Sequence, residues 1–303
     1  MDGPRFVDLE KIREFLREDI GFGDVTSEAL IPSGQRARAR LFLREPGVVA
    51  GLDEASALFE MLGCSVKSRR RDGERVDEGE VLMEVEGPAR ALLSGERTAI
   101  NIVAHMSGIA TVTADVVLAV RVVSPDVRVA ATRKTLPGLR ELEKRAVVLG
   151  GGDTHRMRLD DCVLIKDNHL GLVPSVEEAV RRAREGVSFT RKIEVEVGSP
   201  AQAEEAAAAG ADIVMFDNMT PAEIRRCLDH LDGKGLRQGR LFEASGGITA
   251  ENAAEYAATG VDVISLGSLT HSVRSLDVKL EIRMIRTARI SKLQADRADA
   301  RDE

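Results

Sequence analysis

The chain has 303 residues, 43% hydrophobic and 31% charged, an ordinary globular balance that excludes wholesale disorder and leaves room for one large or two medium domains. Its formal charge is −7, so the whole molecule does not attract polyanions, and any anionic ligand needs a local basic cluster. With no Trp, one Tyr and eight Phe, the core must be built from Leu, Val, Ile and Ala, which suits layered α/β packing better than an aromatic nucleic-acid platform.

The start, MDGPRFVDLEKIREF, has neither a basic nor an apolar leader segment, so no secretory signal is expected. Val7, Leu9, Ile12, Phe15 and Leu16 fall near helical spacing over 7–18, and the glycines of EDIGFGDVT (18–26) mark a loop. Strands are expected over 36–50, then a helix in DEASALFEMLG stopped by Gly63. RRRDGERVDEGEVLMEVEG reads as strands around an Asp72-Gly73 turn, with Arg69–Arg71 as a solvated flank of that turn. From Leu92 to Arg121 the pattern is helical with a break at Ser107-Gly108, and no apolar run approaches the ~20 residues of a membrane span. Cys64, Cys162 and Cys227 are odd in number and form no CxxC pair, which fits reduced thiols in a cytosolic protein.

The texture then changes. Six short β-branched runs, VRVAA (127–131), CVLIK (162–166), KIEVEV (192–197), ADIVMF (211–216), RLFEA (240–244) and DVISL (262–266), alternate with Ala- and Glu-rich helical stretches. Such repeats imply a parallel sheet with right-handed crossovers. An incomplete α/β barrel and a doubly wound open sheet both fit. The tail from Val278 reads as helical, with a frayed charged end.

The informative feature is what ends each run. Thr132, Arg133 and Lys134 follow the first run, and Lys166-Asp167-Asn168-His169 close the second. Glu196 lies in the third, Asp217 and Asn218 follow the fourth, Ser245-Gly246-Gly247 the fifth, and Ser265 and Gly267 flank the end of the sixth. In parallel α/β folds the carboxyl ends of strands converge on the ligand site. Arg133, Lys134, His155, Arg156 and Lys166 then give a basic cluster suited to carboxylate or phosphate. Glu196 and Asp217 suit ribose hydroxyls or a hydrated Mg2+. Ser245-Gly246-Gly247 is expected to open the helix TAENAAEYAATG, whose amides and dipole can hold a phosphate. Gly150-Gly151-Gly152 is no dinucleotide fingerprint, because it follows a helix; it reads as a flexible loop delivering His155 and Arg156.

The stretches GERTAIN (95–101), SGIAT (107–111), TRKTLPGLRELEK (132–144), GGGDTHR (150–156), LIKDNH (164–169), EVEV (194–197), MFDNM (215–219), EASGGI (243–248) and SLG (265–267), in this order, resemble the quinolinate phosphoribosyltransferases, the decarboxylating nicotinate-nucleotide pyrophosphorylases. The resemblance implies an N-terminal α/β sandwich over 1–107, an incomplete barrel of six to seven strands over 108–273 carrying the active site, and a C-terminal segment, 274–303, packing back on the first domain. It implies that Arg97, Arg133, Lys134, His155, Arg156 and Lys166 surround the two carboxylates of quinolinate. Glu196 and Asp217 then meet the ribose of the phosphoribosyl diphosphate, with Mg2+ accompanying its diphosphate. Ser245, Gly246, Gly247 and Gly267 hold its phosphate, beside Thr132 and Ser265, and Lys134, Lys166, Glu196 and Asp217 carry the catalysis. The implied protein is a cytoplasmic homodimer or assembly of dimers, with Arg97 reaching the neighbouring subunit's site and neither nucleic acid nor membrane as partner. Thr154 and Arg158 depart from the family's usual Asn and Gly, and Arg158 is expected to add charge close to the dicarboxylate pocket. Two other readings use the same residues: a paralogue taking another anionic heterocycle, and a non-catalytic phosphosugar-binding protein.

Overall fold

The computed structural model describes residues 7–285, which form two compact units, one up to Ser107 together with the segment from Ser275, the other Gly108–Arg274. The first unit opens with α1 (Leu9–Ile20), capped by Asp8 and burying Ile12 and Leu16, and α2 (Val25–Leu30), capped by Asp24. There follow β1 (Arg36–Leu43), β2 (Gly47–Val48), α3 (Leu52–Met61), β3 (Ser65–Ser68), β4 (Arg75–Val76), β5 (Val81–Pro88) and α4 (Ala89–Val123). Strict alternation in RARARLFL buries Ala37, Ala39, Leu41 and Leu43 on one face of β1 and leaves its arginines outside, where Arg38 pairs with Glu86 at 2.6 Å. Arg69 and Arg70 are likewise neutralised on the surface, by Glu84 and Glu80. Asp72 also accepts the Leu52 amide at the start of α3.

The second unit continues with β6 (Arg128–Ala130), α5 (Arg140–Leu149), β7 (Val163–Ile165), α6 (Asp167–Leu170), α7 (Val176–Gly186), β8 (Ile193–Val197), α8 (Pro200–Ala208), β9 (Ile213–Asp217), α9 (Pro221–Gly233), β10 (Leu241–Ser245), α10 (Ala253–Ala257), β11 (Val263–Ser265) and α11 (Ser268–His271). All six expected strands are present, parallel, in the order β6-β11-β10-β9-β8-β7. This order decides between the two architectures. A doubly wound sheet reverses direction at a switch point. Here successive strands lie side by side and the last pairs with the first, Ile264 opposite Val129, so the sheet curls into a barrel that stays open between β6 and β7. Asp153 adds one parallel bridge beside Ala130 at the open edge.

Four expectations need correction. The tail is β12 (Val278–Met284), not helix: VKLEIRM alternates, and β12 pairs antiparallel with β1 in the sheet β12-β1-β5-β3, setting Leu280 against Leu41. The expected frayed end lies outside the described residues. Next, α4 does not break at Ser107-Gly108, because the Ser107 hydroxyl turns outward, accepting from the Ala50 amide at 2.9 Å and donating to the Ala50 carbonyl at 3.2 Å. Among the described residues α4 is one helix long and apolar enough to cross a membrane, but half of that stretch is buried inside the protein, as expected of a core helix. Lastly, the glycine run after α5 is no flexible loop. A Cβ at Gly150 would lie 2.4 Å from the Ala110 carbonyl and one at Gly152 would lie 2.8 Å from Thr113 Cγ2, so both glycines permit close packing.

Candidate active site

The strand ends of the second unit do converge. Thr132, Arg133, Lys134, His155, Arg156, Lys166, Asp217, Ser245, Gly246, Gly247 and Ser265 all line one cavity of about 370 Å3, with Leu164, Met215 and Glu243 below them. Three sequence candidates stand elsewhere. Glu196, on β8, is engaged by the Lys166 ammonium. Gly267 lies behind Lys134, where a Cβ would meet the lysine Cδ at 2.9 Å. Arg97 is exposed on α4 in the first unit, without an ion pair among the described residues.

The cationic side is held from behind by α5. RELEKRAVVL turns Arg140, Glu143 and Lys144 inward on successive helical positions. Arg140 donates to Thr135 Oγ1 at 3.0 Å and to the Met157 carbonyl at 3.3 Å, while Glu143 accepts the Leu136 amide at 3.2 Å. Lys144, wholly buried, donates to the carbonyls of Thr154 and Arg156 on either side of His155. Burial, then the Arg140 guanidinium, pull the Lys144 ammonium down to about 8. Burial also lowers Arg133, helped by the charges of Arg156 and Arg140. The Nε atoms of Arg133 and Arg156 are buried without a hydrogen-bond partner among the described residues. Such a cluster of donors is costly until an anion enters it.

His155 adopts φ +52°, a region unusual for a non-glycine residue, and is held there by a bond from its amide to Asp153 Oδ1 at 2.8 Å. Its Nε2 lies 3.2 Å from Glu243 Oε2 and 3.4 Å from Glu194 Oε2, both on buried carboxylates of barrel strands. Burial opposes charging of the ring, but the two glutamates outweigh it and raise its pKa to about 10. These three side chains have the donor types of a metal site, with ligand atoms within 4.8 Å of one another. The 3.2 Å separation between Nε2 and Glu243 Oε2 is also a hydrogen-bond length.

The opposite wall is acidic and glycine-rich. Asp217 ends β9, accepts from the Asn218 carboxamide at 2.7 Å and faces the cavity, which fits a hydrated Mg2+ delivered with a diphosphate. Gly246 and Gly247 take φ +86° and +66°, and a Cβ on Gly246 would lie 2.4 Å from Asn218 Oδ1. The chain turns so sharply there that only glycine leaves the backbone open to an anion. The expected helix does not follow directly. Asn252 accepts the Thr249 amide and donates to the Gly247 carbonyl, and this local bonding delays α10 to Ala253. A five-residue helix offers no useful dipole, so an anion on this wall would have to be met by the glycine backbone itself. Arg158 also departs from expectation: it is absent from the cavity wall and pairs outward with Glu141.

Sequence reasoning missed Glu194, Glu243 and the inward face of α5. A signal was present: IEVEV places Glu194 and Glu196 on the same face of a strand otherwise made for burial, and LFEAS repeats the anomaly with Glu243.

Comparison with known proteins identifies the family. Residues 24–107 match the model described as quinolinate phosphoribosyl transferase, N-terminal domain, and residues 109–281 match its C-terminal domain. A nicotinate-nucleotide pyrophosphorylase [carboxylating] of Mycobacterium leprae is 43% identical over 278 residues, covering 90% of this chain and 96% of the relative. The human protein of the same name is 39% identical over 282 residues, covering 93% and 94%. The crystal structure of NadC from Streptococcus pyogenes superimposes with TM-score 0.87 at 36% identity, covering 94% of this chain and all of that one.

Proposed function

This chain belongs to the quinolinate phosphoribosyltransferase family, and from that premise we propose how its cavity converts quinolinate and 5-phosphoribosyl 1-diphosphate to nicotinate mononucleotide, CO2 and diphosphate. The observation that carries the reading is the meeting in one cavity of the cationic Arg133, His155, Arg156 and Lys166 with Asp217 and the Ser245–Gly247 turn, which end the neighbouring strands β9 and β10. The cations match a planar dianion, with the guanidiniums as bidentate partners. Asp217 and the turn match a phosphorylated sugar.

Asp217 orients the ribose and favours positive charge at its C1 as diphosphate departs, and Glu196 acts beside it through the Lys166 ammonium that it pairs with. Mg2+ held beside Asp217 would neutralise charge on the leaving diphosphate. The pyridine nitrogen forms the new bond to C1 and becomes cationic. That ring can then release its 2-carboxylate as CO2, the electron pair remaining at C2 as an ylide beside the ring nitrogen until a proton replaces it. Lys166 holds Glu196 through one N–H and has others for the substrate, while Lys134, backed by Gly267 and by a bond from Thr270 to its carbonyl, supports the same centre. No covalent enzyme intermediate is required; the side chains act by position and charge.

Arg97 is proposed to complete the dicarboxylate wall of a neighbouring subunit in a homodimer, and its exposed guanidinium, without an ion pair among the described residues, supports this. A cytoplasmic setting is supported by three cysteines that remain free thiols. Purified protein given quinolinate, phosphoribosyl diphosphate and Mg2+ should form nicotinate mononucleotide with stoichiometric CO2. Nicotinic acid should be a poor substitute, because it leaves buried cations unmatched. Efficient use of nicotinic acid, with none of quinolinate, would overturn the assignment.

A further inference from the structure

Beneath the cavity lies a group of charges that the reaction does not consume. Glu194 and Glu243 are 0% and 1% exposed, deep among the barrel strands. Among the described residues, neither oxygen of Glu194 has a hydrogen-bond partner, and Glu243 Oε1 has none. Glu243 Oε2 takes a bond from His155 Nε2 at 3.2 Å, and Glu194 Oε2 stands at ion-pair distance, 3.4 Å, from the same nitrogen. Two carboxylates buried this deeply cost several kcal/mol if nothing answers them. A fold that merely needed filling would place apolar residues there.

We propose that Glu194 and Glu243 are positioning residues for the dicarboxylate substrate: they grip the Nε2 edge of His155 and so present its Nδ1–H as a fixed donor at the cavity wall. The proposal rests on the functional reading above for the identity of the anion, though the grip on His155 does not.

Three further features support it. The His155 backbone is strained at φ +52°, and such strain persists only where the surroundings over-determine it. Lys144 holds the carbonyls of Thr154 and Arg156 from the α5 side, so the residue is clamped through its neighbours' backbone as well as its ring. The charges also act on one another. Burial pushes the Glu194 carboxyl up, the His155 imidazolium pulls it back, and Glu243 adds to the rise, with Arg156 as the other cation facing it. With its pKa raised to about 10, the His155 ring is charged at neutral pH before substrate arrives, and its orientation costs nothing at the moment of binding.

The experiment has a part that needs no substrate. With 15N-labelled histidine, one of the five histidines should show two protonated ring nitrogens at about pH 8.5, where an ordinary histidine is neutral. That signal should be lost in Glu243→Gln. In kinetics, Glu243→Gln should raise KM for quinolinate on the order of 10- to 100-fold while KM for phosphoribosyl diphosphate stays within about twofold. Glu194→Gln should act in the same direction but less, since Glu194 Oε2 stands farther from the ring nitrogen, at 3.4 Å against 3.2 Å for Glu243. Glu243→Asp should recover part of the loss.

A merely structural role would raise both KM values together, and that result would overturn the proposal. So would a neutral His155 in the wild-type protein, or a stoichiometric transition metal that Glu243→Gln releases, which would make the cluster a metal site. Failure of the wild-type protein to use quinolinate would count against the functional reading alone, because the nitrogen signals still decide the clamp.

Discussion

Arg156→Met separates catalytic charge from structural support, because the two consequences differ in size. Methionine keeps much of the apolar stem and removes the guanidinium. In the free protein that guanidinium depresses Arg133 and has a buried Nε without a partner among the described residues, while it also attracts Glu194. Removing it relieves repulsion and forfeits attraction, each on the order of 1 kcal/mol at an effective dielectric of about 20. The net stability change should thus lie within about 1 kcal/mol, or roughly 2–4 °C in Tm for a domain of this size. Catalysis has no such compensation. Truncating one partner of a desolvated ion pair costs about 2–5 kcal/mol, which is about 30-fold to several thousand-fold in kcat/KM for quinolinate. Thermal melts should show quinolinate stabilising the wild-type protein and leaving the variant unmoved. Arg156→Lys should also fail substantially, since an ammonium cannot reproduce a planar fork. A kcat/KM within about threefold of wild type would remove Arg156 from the dicarboxylate wall. A Tm fall far beyond about 4 °C would show that its role is structural.

The strand ends were legible in the sequence because a parallel barrel obeys a positional rule: polar residues that follow buried runs converge at one mouth. Thr132, Lys166, Asp217 and Ser245 were all placed by that rule. The open barrel was not separable from a doubly wound sheet, because strand order depends on pairings far apart in sequence, and only the Ile264–Val129 register settles it. β12 was misread for a related reason. VKLEIRM is short enough to fit either period, and it becomes a strand because β1 offers a free edge. Helix α10 was drawn too early because propensity counts alanines but does not see Asn252 bonding back to Gly247. The least visible layer was the support beneath the site. Lys144, Glu194 and Glu243 are charged residues at buried positions, and single-sequence patterning assigns charge to the surface unless spacing betrays it.

Gly246→Ala should raise KM for phosphoribosyl diphosphate and leave quinolinate binding, measured by thermal shift, nearly unchanged, since a methyl there would lie 2.4 Å from Asn218 Oδ1 on the phosphate wall alone. Stability should depend on pH through His155, whose pKa is 6.5 when unperturbed and about 10 here. The folded state binds the extra proton, so this contribution is full below 6.5 and is lost as pH rises toward 10. Lys144, lowered from 10.5 to about 8, acts oppositely above 8, so urea titrations should show stability falling most clearly between pH 6.5 and about 8, and Glu243→Gln should flatten that slope. The last expectation concerns Arg97, and symmetry makes it decidable. In a two-fold dimer, whatever one subunit donates it also receives. Co-expression of two inactive variants, Arg97→Ala and Glu196→Ala, pairs at random, so about half the dimers are mixed. If Arg97 acts in its neighbour's site, each mixed dimer contains one doubly damaged site and one intact site, and about a quarter of all sites regain activity. If Arg97 acts within its own chain, every site of a mixed dimer keeps one lesion. Mixed dimers isolated by two different affinity tags and found inactive would therefore refute the shared site, while the reaction itself would stand on the separate evidence of its products.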